Sequence, residues 1–201
     1  MKTRDLMISD PITISVQSSV QEAIQVMKAN SIRHLPVTHK GKRLLGFLTL
    51  ADLKQGLIPS MVADVTLKDL MIKDPLFVRP NDDIEIAVQL IYKHKISGLP
   101  VLKHRSVVGI ITESDIFRAV IEMMGILSAT SRIDVLITEG QKGLKQAVHV
   151  INTIGGDIIN IVMNPQEGEH RLYCFRLASC EIAVIRKALV KEGFKVVGTA
   201  G

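Results

Sequence analysis

Apolar residues recur at i, i+3, i+4 and i+7 in Val20, Ala23, Ile24 and Met27, and again in Ile84, Ala87, Val88 and Ile91. Each set predicts an amphipathic helix with one buried stripe. Ser18 with Gln21, and Asp82 with Glu85, stand at capping-box spacing ahead of these helices. Short apolar runs follow at residues 35–38 and 44–48, and at 99–102 and 107–111, bounded by turn residues such as Gly41. They predict two strands per copy. A second helix is expected from about Thr49, ending near Gln55-Gly56, and from about Thr112, running to about Leu127. With a strand ahead of the first helix, each copy has the order βαββα.

Beyond residues 128–131, which look like a linker, the pattern changes. Residues 133–138 alternate as a strand, and Leu144, Ala147, Val148 and Ile151 share one face of a helix over 143–154. Strands are expected at 157–163 and 171–177, separated by a turn at 164–168. A helix over 180–192 stops at Gly193, and a last strand covers 194–198. The order βαββαβ is the ferredoxin-like plan. The expected fold class is therefore α/β of the α+β kind, with units at 1–63, 64–127 and 132–201.

The first two units repeat one another in sequence. Asp5-Leu6-Met7-Ile8-Ser9-Asp10-Pro11 returns as Asp69-Leu70-Met71-Ile72-Lys73-Asp74-Pro75, and Ser31-Ile32-Arg33-His34-Leu35-Pro36-Val37 as Lys95-Ile96-Ser97-Gly98-Leu99-Pro100-Val101. After a one-residue deletion, Gly46-Phe47-Leu48-Thr49-Leu50-Ala51-Asp52 matches Gly109-Ile110-Ile111-Thr112-Glu113-Ser114-Asp115. A unit of this size buries little surface alone, so the copies are expected to pack as a pair through their sheets. These motifs resemble those of the CBS domain family over nearly all of residues 1–127. The resemblance implies a tandem pair whose two clefts bind adenosine-containing ligands, with a regulatory role.

Thr49-x-x-Asp52 and Thr112-x-x-Asp115 fall where a strand turns into a helix. Such a box caps the helix, the hydroxyl accepting an amide and the carboxylate facing the positive helix end. The same place can present amides to a phosphate and a carboxylate to a ribose diol. The residues alone leave both uses open. The family resemblance assigns Asp52 and Asp115 to ribose hydroxyls, and Thr49 and Thr112 to ribose or phosphate. It also places Thr13, Ile14, Leu35, Pro36 and Leu48 around one adenine, and Phe77, Val78, Leu99, Pro100 and Ile111 around the other. Pro36 and Pro100 lack an amide proton, so each is expected near a strand edge, leaving neighbouring carbonyls free for a ligand. The copies differ in charge: Arg33-His34 in one stands where Ser97-Gly98 stands in the other, with Lys95 and Arg118 near the second motif. This inequality predicts two sites of unequal preference. His34, a lone histidine, is expected as a hydrogen-bonded wall residue.

The C-terminal unit resembles an ACT domain through Gly143-Leu144 at a helix start and the apolar strand around Asn160-Ile161. That resemblance implies an amino-acid site at Gln141, Lys142, Gly143, Leu144 and Asn160, or a dimerisation module without ligand. An acidic residue common in the family is missing from Gly140-Gln141-Lys142-Gly143. Paired CBS repeats followed by an ACT-like unit resemble the acetoin-utilisation protein B family.

Composition narrows the classes. The 201 residues are 47% hydrophobic and 22% charged, an ordinary globular balance. The net charge of +5 is scattered among acids, and aromatic residues are 3% with no Trp, so a nucleic-acid platform is not expected. No signal peptide and no run of about 18 apolar residues is visible, which predicts a cytoplasmic protein without a membrane partner. Cys174 and Cys180 lack metal or disulfide spacing and are expected as reduced core residues. No nucleophile elbow, P-loop or metal cluster appears, so no enzyme, metal or cofactor is expected. The ligand class is AMP, ADP, ATP or S-adenosylmethionine, with a homodimer and a regulated protein partner as further expectations. An amino-acid sensor with a structural CBS half is the alternative.

Overall fold

The computed structural model describes residues 1–39, 42–56, 65–127, 131–138, 140–164 and 170–201. Two compact units divide between Phe117 and Arg118.

In the first unit, α2 (Val20–Ala29) and α5 (Ile84–His94) are the two amphipathic helices. Ala23 and Met27 of α2, and Ile84, Ala87 and Ile91 of α5, are buried, whereas Val88 stays exposed. The capping box of α2 is Ser19–Glu22, one residue beyond the expected pair, because the Ser18 amide already closes a turn on the Ser15 carbonyl. Asp83 precedes α5 without a side-chain cap, and Asp82 instead accepts the Arg79 amide at 2.7 Å. The hairpins are β3 (His34–His39) with β4 (Arg43–Thr49), and β6 (Gly98–Lys103) with β7 (Ser106–Thr112). The strand ahead of α2 is β2 (Ile14–Ser15), parallel to β3; its counterpart is the single bridge between Val78 and Val101. Helices α3 (Leu50–Gly56) and α6 (Glu113–Met123) follow the hairpins.

Pro36 does not lie at a strand edge as expected, and the second proline's own carbonyl is bonded. The Pro100 carbonyl accepts the Val78 amide at 3.2 Å, and Pro36 lies within β3, which has β2 and β4 on either side. A residue's N–H and C=O point to the same neighbour, so the proline nitrogen falls where the short partner segment needs no ladder bond.

Each repeat lends its leading segment to the other. Helix α1 (Thr3–Leu6) and β1 (Ile8–Ser9) join the second repeat: the Thr3 amide donates to the Asp82 carbonyl, and Ile8 and Ser9 pair with Ile110 and Gly109 of β7. Helix α4 (Leu67–Leu70) and β5 (Ile72–Lys73) join the first, with Ile72 and Lys73 pairing Phe47 and Gly46 of β4. Strands β4 and β7 pair at Arg43 and Ser106, which joins the strands of both repeats into one sheet. The cores follow the exchange. Leu67 is buried with Met27, Leu35, Leu48 and Leu53, while Leu6 and Met7 pack against Val78, Ile91, Leu99 and Ile111. At about 1.5–3 kcal/mol per buried aliphatic side chain, the exchanged leucines are a substantial tie between the repeats.

Exchange also explains two motifs. A Cβ on Gly109 would strike Met7, and one on Gly46 would strike Met71. The methionine of each Asp-Leu-Met run therefore lies over the glycine of the opposite repeat's Gly-apolar-apolar-Thr motif.

In the second unit, β8 (Ser131–Ile137), β9 (Ile158–Asn164), β10 (Arg171–Leu177) and β11 (Lys195–Ala200) form an antiparallel sheet in the order β11-β8-β10-β9. Helix α7 (Gly140–Thr153) connects β8 to β9, and α8 (Ile182–Lys191) connects β10 to β11. Ile133, Val135, Phe175 and Leu177 meet Ala147, Ile151, Ile185 and Leu189 in the core. Ser131, expected at the end of a linker, opens β8, because its buried hydroxyl is anchored by the Cys180 amide and carbonyl, both at 3.2 Å. Residues 128–130, Gly41 and 165–168, expected as linker and turns, lie outside the described residues. Cys174 and Cys180 are free thiols, only partly buried.

Candidate functional site

Two clefts open in the first unit, and most of their wall segments correspond under the repeat. Cleft one, of about 630 Å³, has Thr49, Leu50 and Ala51 at a helix start, Ile72, Asp74, Pro75 and Leu76 on the exchanged segment, and Lys95, Ile96, Ser97 and Gly98 ahead of β6. Cleft two, of about 310 Å³, has Thr112, Ser114 and Asp115, then Ile8, Asp10, Pro11 and Ile12, then Ser31, Ile32, Arg33 and His34. Phe47 closes the first and Ile110 the second. Each cleft therefore takes walls from both repeats. The segment before each hairpin is tied to the helix after it: the Leu50 amide donates to the Arg33 carbonyl at 2.9 Å, and the Glu113 amide to the Ser97 carbonyl at 3.1 Å.

The two Thr-x-x-Asp boxes have matching geometry. Thr49 donates to Asp52 Oδ2 from its amide at 2.8 Å and its hydroxyl at 2.6 Å; Thr112 does the same to Asp115 at 3.0 and 2.6 Å. The Asp52 and Asp115 amides return bonds to the threonine hydroxyls. Thr66 and Asp69 form the same pair of bonds, at 2.9 and 2.6 Å, at the start of the four-residue α4, away from both cleft walls. The box itself is thus a backbone cap, and the cleft beside it is what distinguishes the other two.

His34 stands where the pseudo-symmetry breaks. Its ring is stacked on Phe47 with centroids 5.8 Å apart, its Nε2 is 2.7 Å from Ser97 Oγ, and it lines both clefts together with Arg33. A Cβ at Gly98, its counterpart, would meet the ring at 3.2 Å. This close approach leaves little room for a side chain at that position of the second repeat. Burial, with the charge of Arg33, lowers the imidazole pKa, against the opposing pull of Asp115 and Asp52. The neutral ring is therefore favoured.

Of the expected site residues, Arg33, His34, Thr49, Lys95, Ser97, Gly98, Thr112 and Asp115 line the clefts. Leu35, Leu48, Leu99 and Ile111 are fully buried in the cores, where they shape the walls from behind. Ile14 and Val78 are buried beside them, and Phe77 is exposed beneath the Arg79 guanidinium. Arg118 begins the second unit. Sequence reasoning missed the Asp10-Pro11 and Asp74-Pro75 walls, although both stand in the repeat. Asp10 and Asp74 adopt φ of 48° and 49°. Aspartate tolerates this left-handed region better than most residues, yet a following proline disfavours helical backbone, so strain is concentrated at both cleft rims.

The expected amino-acid residues of the second unit are not brought together. Gly143 borders a cavity of about 150 Å³ with Thr138, Gln146 and Phe194, Leu144 packs on the core, and Lys142 is exposed. Asn160 lies on β9 at the far edge of the sheet and donates to the Met123 carbonyl. The side chain of Gln141 lies outside the described residues. Among the described residues there is no cluster of three metal-ligating side chains, and no helix is long and apolar enough to cross a membrane. The Cys174 thiol is pushed up to about 11 by burial and by Asp134, which leaves it protonated near neutrality.

Two related clefts between exchanged βαββα repeats define a paired-repeat module. Residues 4–58 and 67–122, more than half of the chain, match the CBS domain, and the chain belongs to the CBS domain family. It is 35% identical over 119 residues to a homoserine O-acetyltransferase of Methanohalobium evestigatum, a match covering 59% of this chain and 24% of that protein. The chain spans about a quarter of the length of the curated relatives it matches. Among solved structures, the CBS domain pair of MJ0100 in complex with 5-methylthioadenosine and S-adenosyl-L-methionine has 27% identity and a TM-score of 0.56, over 60% of this chain and 95% of that one. A Vibrio cholerae protein assigned to acetoin utilization (AcuB) has 31% identity and a TM-score of 0.56, over 63% and 94%. CBSX2 in complex with AMP has 26% identity and a TM-score of 0.54, over 61% and 97%.

Proposed function

We propose that this chain is a regulatory module that binds adenosine-containing ligands in its two clefts and transmits occupancy as a change in the relation of the repeats. The observation that carries the reading is the pair of related clefts, each walled by both repeats. A ligand touching both walls stabilises one relative position of the repeats, which is the differential binding a switch requires. Apolar surfaces such as Ile72, Pro75 and Ile96, or Ile8, Pro11 and Ile32, supply a slot for a purine, and Thr49 in the first cleft and Thr112 with Asp115 in the second supply polar groups at the rim for a ribose. Two similar structures hold adenosyl ligands, and CBS pairs are generally regulatory rather than catalytic.

The second unit supports an ACT-like reading through its βαββαβ order and the strand order β11-β8-β10-β9. Its edge strands β9 and β11 suit pairing with a second copy, and a homodimer in the cytoplasm acting on a protein partner is part of the proposal. The likeness to AcuB supports the same arrangement.

Thermal unfolding tests the reading, followed by a dye because the chain has no Trp. Present at 100 times its dissociation constant, a ligand adds about 2.7 kcal/mol, roughly 5 to 10 °C for a chain of this size. AMP, ADP, ATP or S-adenosylmethionine is expected to give such a shift. A shift with free amino acids alone would favour sensing by the second unit.

A further inference from the structure

A groove of about 520 Å³ runs along α8 beside the edge strand β11. One face of the helix forms its wall, turn by turn: Ile182 and Ala183, then Arg186 and Lys187, then Val190 and Lys191. Thr199 of β11 closes the other side; it pairs with the core residue Ile133, so its side chain lies on the helix-covered face of the sheet. The three cations are exposed, and no described carboxylate lies within ion-pair reach of any of them. Glu181 and Glu192, at the two ends of α8, stay outside the groove. Val190 is 54% exposed, which leaves apolar surface between the charges. Among the described residues β11 pairs only with β8, so one row of its backbone donors and acceptors has no strand beside it.

Building on the reading of the chain as a regulator of a protein partner, we infer that this groove takes an extended acidic segment of that partner, which adds a strand to β11 and sets its carboxylates against α8. The two periodicities match. Side chains on one face of a strand recur about every 6.8 Å, and helix positions four apart rise about 6 Å, so successive inward side chains of the added strand meet successive turns of α8. An apolar side chain fits against Ile182 and Ala183, and carboxylates fit against Arg186, Lys187 and Lys191. Charge decides against a second copy at this edge. Two β11 strands paired about a dyad would bring two sets of these cations together, and β11 itself carries Lys195 and no acid. Pairing β9 of one copy with β11 of the next is head-to-tail and generates rings or filaments rather than a dimer. The opposite edge, β9, has no charged residue from Ile158 to Asn164, and the second copy proposed above pairs there.

The probe is an end-blocked peptide of about six residues in which threonine alternates with valine or glutamate, titrated into the full chain and followed by backbone amide NMR. Expected are shifts confined to β11 and α8, a dissociation constant below about 1 mM, and slowed hydrogen exchange of β11 amides. Arg186→Glu combined with Lys187→Glu, both at exposed positions, should weaken the peptide at least about tenfold, after melting curves establish that the variant folds. The peptide with lysine in place of glutamate should bind that variant better than it binds the unaltered chain. No shift at β11, shifts at β9 instead, or binding indifferent to charge reversal overturns the docking surface. So does protection of β11 amides that rises with protein concentration in the absence of peptide, which gives the edge to a second copy. The surface and the adenosyl reading fail separately. Peptide binding without a melting shift from AMP, ADP, ATP or S-adenosylmethionine leaves the surface standing and overturns adenosyl sensing; an adenosyl shift without peptide binding does the reverse.

Discussion

The threonine of each Thr-x-x-Asp box has two possible employments, and the chain contains its own control. Thr66 and Asp69 form the same two bonds as Thr49 and Asp52, but away from the clefts. Thr49→Ala and Thr66→Ala should each cost about 1 kcal/mol of stability through the lost cap, read from melting curves. Thr49→Ala alone should also weaken adenosyl binding beyond what that stability loss explains; equal behaviour of the two variants would reduce Thr49 to a cap. His34 supplies a second residue-scale expectation. Burial lowers its pKa below the ordinary imidazole value of 6.5, so on acidification the unfolded chain takes up a proton before the folded one. Its contribution to stability is full above about pH 6.5 and is lost as the pH falls below it. Melting should fall more between about pH 7.5 and 5.5 in the unaltered protein than in His34→Asn, and parallel slopes would assign the acid sensitivity elsewhere. That the box was legible and its duty was not has a simple cause: a cap is satisfied within four residues, whereas a binding role depends on what lies across the cleft.

At the scale of elements, periodicity located α2, α5 and both hairpins to within a residue or two, since a buried stripe or an alternating face is a local property. The exchanged segments were not legible. Strands β1 and β5 are two residues long and α1 and α4 four, too short for any period to register, and their partners lie far along the chain. The only trace was the repeated Asp-Leu-Met, whose methionines turn out to fill the space above Gly46 and Gly109. Gly46→Ala and Gly109→Ala should each destabilise by about 1–3 kcal/mol through overpacking against Met71 and Met7 and the adjoining backbone carbonyls of Ile72 and Ile8. Combining Gly46→Ala with Met71→Ala should cost less than the sum of the single changes, measured by denaturant unfolding, because one removes the obstacle to the other. Strict additivity would mean that the contact does not operate in solution.

For the molecule as a whole, the described residues that line both clefts run from Ile8 to Asp115, all within the first compact unit. A fragment covering residues 1–127, which keeps α6 entire, should fold and bind the adenosyl ligand with a dissociation constant within about threefold of the full chain. A much weaker fragment would assign part of the site to the second unit. Sequence alone determined that the chain carries two copies of one unit followed by a different one, because repeats and periods are written in consecutive residues. It also singled out Arg33, His34, Thr49, Thr112 and Asp115, which the structure gathers at the clefts. Only the tertiary structure decided that each cleft is built from both copies, that Leu35, Leu48, Leu99 and Ile111 stand behind the walls, and that Asp10 and Asp74 stand on them. The physical reason is the exchange of leading strands: a motif read along the chain implies neighbours in the same repeat, whereas backbone pairing across the pseudo-symmetric module supplies neighbours from the other.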